Sequence, residues 1–98
     1  MKQVALFKPS SKLTFENAWS DGQRLKQCMQ NQQHAGIQFD LTDVIQCDTA
    51  GLALLIEAQR LSQKHGKELN ILGASSNIVA LAEFCGLGNL LDGSHDFA

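Results

Sequence analysis

Long hydrophobic runs, basic clusters and paired cysteines are all missing from this 98-residue chain, and each absence argues against a class of function. The N-terminal segment Met1-Lys2-Gln3-Val4-Ala5-Leu6-Phe7-Lys8-Pro9 holds only four apolar residues in a row. A signal-peptide core or a membrane span needs far more, so the chain is expected to stay in the cytoplasm and to insert into no membrane. Lys and Arg number 8, scattered singly from Lys2 to Lys67, against 10 Asp and Glu. That spread makes no basic face for a phosphate backbone and argues against nucleic acid as a partner. Cys28, Cys47 and Cys85 are odd in number and far apart. They suit neither a disulfide framework nor a zinc site, and are expected to be reduced packing residues. His34, His65 and His95 are isolated and expected to be solvated. No Ser-His-Asp arrangement, paired-carboxylate site or phosphate-cradling glycine loop is present, so no enzyme, metal or cofactor is expected. Without repeats or linkers, residues 1–98 are expected to form a single domain.

What the chain does have is strands alternating with helices. Val4 to Phe7 reads as a short strand, broken by Pro9-Ser10-Ser11. Thr14 offers an N-cap to a first helix, with Glu16 in its first turn. Phe15, Ala18, Gly22, Leu25 and Met29 recur at helical spacing and predict its apolar stripe, ending near Gln30 to His34. Ile37 to Leu41 predicts a buried central strand continuing its apolar character to Val44 and Ile45. Ala50 to His65 predicts a second helix that ends at Gly66, with Leu52, Leu55, Ile56, Gln59 and Leu61 on its apolar arc. Leu69 to Leu72 predicts a further strand and Asn77 to Phe84 a further helix. Parallel strands cannot be joined by tight turns, so this alternation implies an α/β fold with a helix-covered sheet.

The most informative stretch is Asp48-Thr49-Ala50-Gly51-Leu52-Ala53-Leu54-Leu55, where a strand turns into a helix. A helix start leaves backbone N–H groups unpaired and carries partial positive charge, so Thr49 stands where a phosphoryl group or an anionic partner would be stabilised. Thr49 also suits the plainer role of N-cap, and Asp48 could fill that cap equally well. In the second case the Thr49 hydroxyl points outward from the first turn. Gly51 is either a packing glycine or a point of close approach by another backbone. Trp19 is the single tryptophan, either a core residue or an exposed anchor of the kind enriched in binding hot spots.

The Asp-Thr-Ala-Gly-Leu-Ala-Leu-Leu string resembles the signature of STAS domains, the sulfate-transporter and anti-sigma-factor-antagonist modules, and the order of elements follows that pattern from Leu13 to Leu91. The resemblance implies a STAS fold, a small mixed β-sheet covered by helices. Only seven residues precede Lys8, so the first strand of the fuller family pattern is expected to be missing. Within the family the string looks most like the stand-alone subunit of a phospholipid-transport ABC complex, as do Ala74 to Ala82 and Phe84 to Leu91. That likeness implies a non-catalytic subunit supporting the transporter's ATPase at the inner face of the inner membrane. It implies a partner surface of Asp48, Thr49, Ala50, Gly51 and Leu54 with Trp19 as an anchor. The sigma-regulating branch implies an alternative, phosphorylation of Thr49 by an anti-sigma kinase.

Overall fold

The computed structural model describes residues 3–89 and 91, and among these five strands and three helices position the site. The polar tail from Asp92, with His95 and Phe97, lies outside the described residues. Strands β1 (Gln3–Phe7), β3 (His34–Asp40) and β5 (Glu68–Leu72) form one sheet in the order β1-β3-β5. Two-residue strands β2 (Lys12–Leu13) and β4 (Gln46–Cys47) pair separately. Helices α1 (Phe15–Gln30), α2 (Thr49–Lys64) and α3 (Ser76–Phe84) fill the connections. β1 is the strand expected at Val4 to Phe7; it and β2 both precede α1, and among the described residues neither belongs to an antiparallel hairpin. Every ladder among the described residues is parallel, so an antiparallel member of the expected mixed sheet is not among them.

Register explains which residues make the core. Ala5, Ile37 and Leu69 align across the sheet, as do Phe7, Phe39 and Ile71, and period-two alternation puts both rows on one face. Ile37 and Phe39 of the central strand are fully buried there, and Phe7 meets Phe39 with ring centroids 5.0 Å apart. Leu25 and Met29 of α1, Leu52, Leu55, Ala58 and Leu61 of α2, and Ile78 and Ala82 of α3 join them in one cluster. Residues of the other face, Val4, Leu6 and Leu72, are exposed.

The helix ends follow local chemistry. Gly66 takes φ 64° after the last turn of α2, a left-handed conformation that stops a helix at little steric cost. Ser75 caps α3, its hydroxyl accepting the Ile78 N–H at 3.2 Å. At the other end of α1, Lys67 donates to the carbonyls of Asn31 and His34 and ties the helix exit to β3.

Asp21 is buried on α1, where the sequence pattern shows only a polar residue. Its carboxylate accepts the Ser10 N–H at 3.2 Å, the Ser10 hydroxyl at 2.9 Å and an Arg24 N–H at 3.0 Å. Arg24 donates also to the Lys8 carbonyl and lies over the Phe7 ring. A buried charge costs several kcal/mol unless its oxygens are satisfied, so this cluster locks the β1–β2 link onto α1.

Candidate functional site

Strands β2 and β4 lie side by side, Lys12 beside Gln46 and Leu13 beside Cys47, and each runs directly into a helix. The starts of α1 and α2 therefore emerge next to each other. Backbone bonds hold this corner: the Ile45 N–H donates to the Ser11 carbonyl at 2.8 Å and the Asp48 N–H to the Leu13 carbonyl at 3.3 Å. Gly51 is buried in the same corner. A Cβ there would stand 2.1 Å from the Leu13 carbonyl oxygen and 2.9 Å from the Cys47 sulfur. The backbone that approaches Gly51 is thus β2 of this same chain, which corrects its expected place on a partner surface.

Asp48 is the cap of α2 and Thr49 its first helical residue, which decides between the two readings of the turn. One Asp48 oxygen accepts the Gly51 N–H at 3.1 Å, and the other accepts the Phe15 N–H at 3.1 Å. A single carboxylate therefore serves two helix starts. Thr14 occupies the cap position of α1 but makes no side-chain cap bond; its hydroxyl oxygen is buried without a partner among the described residues. Thr49 is exposed, and its hydroxyl is free of the described hydrogen bonds.

Cys47 packs half-buried behind this turn. Burial, with the Asp48 charge adding to it, pushes its thiol up to about 11 and keeps it protonated at neutral pH. Burial likewise raises the Cys28 thiol, whereas Cys85 is exposed and so is not the packing residue expected. His34 departs from its expected solvation too: its Nδ1 is buried without a described partner.

A groove runs between α1 and α2 beside the paired starts. Phe15, Ala18, Trp19 and Gly22 line one wall, and Ala50, Ala53, Leu54 and Ile56 the other. Leu54 is buried at the floor, where a Cβ on Gly22 would lie 3.5 Å from it. Phe15 and Trp19 are each 75% exposed and Ile56 is 42% exposed, which takes Phe15 and Ile56 out of the core stripes expected for them. Lys26, Gln23 and Glu57 form a polar rim, and Arg60 holds the Glu57 carboxyl below the usual carboxylate range through a hydrogen bond. Trp19, Ala50 and Leu54 thus come together at the groove with Thr49 at its head, while Gly51 stands behind it.

Phe15 and Ile56 escaped the sequence reading because on each helix the apolar residues fall on two neighbouring faces, mixed with polar ones such as Asp21 and Lys26 on α1. On α1, positions 15, 19, 22 and 26 share one face, and positions 21, 25 and 29 another. Separating those faces, rather than joining them into one stripe, would have found the groove.

A parallel sheet backed by helices on one face, with two helix starts and an apolar groove at one corner, defines a small α/β domain whose features converge on a strand-to-helix turn. The chain belongs to the STAS family: the family model described as Mlab, STAS domain, matches residues 10–92. No protein of curated function matches it. No described helix is long and apolar enough to cross a membrane.

Proposed function

We propose that this chain is the MlaB-like, non-catalytic subunit of an ABC-type phospholipid transporter that maintains outer-membrane lipid asymmetry, and that it docks on the transporter's ATPase through the α1–α2 groove. The observation that carries this reading is the pair of aromatics, Phe15 and Trp19, standing exposed beside the Thr49 turn. Large apolar side chains left in water add no burial energy to the isolated chain, and clustered ones mark interaction surfaces. Trp is the residue type most enriched among hot spots, and the surrounding alanines leave room for a partner's side chains. The Mlab description of the matching family model supports the transporter assignment, and STAS domains are in general non-catalytic. Docking of this kind would hold the chain at the cytoplasmic face of the inner membrane through its partner.

A second reading, an anti-sigma-factor antagonist switched by a kinase, is favoured by one specific observation: the unengaged, exposed Thr49 hydroxyl at the first position of α2. Phosphorylation there would add roughly −1.5 to −2 charge at pH 7 next to the Asp48 carboxylate and at the head of the groove. Both readings use the same surface.

Capture of the ATPase subunit by the tagged chain tests the first reading. Trp19→Ala should weaken capture by about thirtyfold or more, the scale of a hot spot, with a thermal midpoint within a few degrees of the parent. Thr49→Ser should bind, Thr49→Ala should lose binding, and Thr49→Glu should lose it at least as severely while remaining folded, because a helix start tolerates a carboxylate. Normal capture by Trp19→Ala and Thr49→Ala would sink the docking reading. Mass-spectrometric detection of phosphothreonine at Thr49, with capture of a kinase instead of an ATPase, would favour the second.

A further inference from the structure

Two parallel helices that begin side by side present an electrostatic difficulty. Each start carries roughly half a positive charge and several unpaired N–H groups, so the pair repel unless something negative lies between them. Asp48 lies there, with one oxygen on the Gly51 N–H of α2 and the other on the Phe15 N–H of α1. Thr14, the residue placed by sequence to cap α1, contributes no such bond. The first N–H of α1 is thus satisfied by a side chain 33 positions further along the chain. The backbone donor concerned belongs to Phe15, itself part of the groove wall.

We propose that Asp48 is the positioning residue of the groove: by bonding both helix starts it fixes the Phe15–Trp19 wall against the Ala50–Leu54 wall, and it acts on a partner through that spacing rather than by contact. The partner half of this inference rests on the docking reading above. The positioning half concerns the isolated chain alone.

Two substitutions separate the bonds. In Asp48→Ser the hydroxyl still caps α2, since Ser is among the preferred caps, but its single short arm leaves the Phe15 N–H unpaired. Asp48→Asn keeps one carbonyl oxygen and loses the second acceptor and the charge. In the isolated variants, hydrogen exchange at the Phe15 amide should accelerate at least tenfold and Trp19 fluorescence should shift, while amides around Leu55 on α2 stay protected. Capture of the ATPase subunit should weaken about tenfold. Combining either variant with Trp19→Ala should cost clearly less than the product of the separate losses, because both damage one wall. Unchanged Phe15 exchange and Trp19 emission would overturn the proposal, and so would losses that multiply independently, which would make Asp48 a direct contact. Failure of both variants to fold would reduce Asp48 to a stability residue and overturn it as well. If the parent chain captures no ATPase, the docking reading fails, while exchange and fluorescence still decide whether Asp48 positions the wall.

Discussion

At Gly51 the usual ranking of helix residues is reversed. Ala normally stabilises a helix interior by about 1 kcal/mol over Gly, but a methyl group here would overlap the Leu13 carbonyl oxygen. Gly51→Ala is therefore expected to destabilise by about 1–3 kcal/mol, the scale of overpacking, because β2 must move away from α2. Urea denaturation monitored by far-ultraviolet circular dichroism would measure it; a more stable variant would mean that β2 gives way freely. The sequence allows a close approach at Gly51 beside a plain packing role, and does not say what would make it. A two-residue strand such as β2 has no alternation to reveal it, and a pairing with β4 across more than thirty positions leaves no local trace. The cap of α2 was ambiguous for a similar reason, since Asp48 and Thr49 are both good caps. What favours Asp48 is its second oxygen, whose partner Phe15 is invisible until the fold brings it near. Asp21 shows the same limit, as a polar letter whose burial depends on Ser10 and Arg24 arriving around it.

Helix α2 sets a buried face and a groove face on adjoining sides, and neighbouring residues separate the two. Leu55 is fully buried, whereas Ile56 is 42% exposed at the groove. Leu55→Ala should cost about 2–5 kcal/mol, the range for emptying a core site, and lower the thermal midpoint accordingly. Ile56→Ala should cost well under that and, on the docking reading, instead weaken capture of the ATPase subunit. A calorimetric melt of each variant beside a binding curve would separate them; equal loss of stability would place Ile56 in the core. The length and ends of α2 were legible in the sequence because the Asp-Thr turn and Gly66 are local signals. The assignment of Ile56 was not, because a single apolar arc cannot distinguish a side chain facing the sheet from one facing a groove between helices.

At the scale of the molecule, alternating strands and helices announced an α/β fold, and the centrality of β3 followed from its apolar run. β1 was legible too, from Val4 to Phe7, but not its place beside β3, which no local pattern reveals. The sheet packs its helices on one face, and Val4, Leu6 and Leu72 lie outward on the other. Leu6→Lys should therefore leave the thermal midpoint within a few degrees and ATPase capture unchanged; lost capture would extend the docking surface onto the sheet. The bond from Asp48 to Phe15 carries a consequence in time as well as in space. Synthesis delivers residues 1–47 before residue 48 exists, so any α1 formed in an emerging chain lacks the Asp48 bond at its first N–H and has no α2 opposite its aromatic wall. No ladder among the described residues is a hairpin that could close early, since each joins parallel strands across an intervening helix. The groove is completed only when α2 has been made and folded back, so a truncated or stalled chain presents aromatics without a binding surface. On the docking reading, the ATPase meets a finished subunit or none.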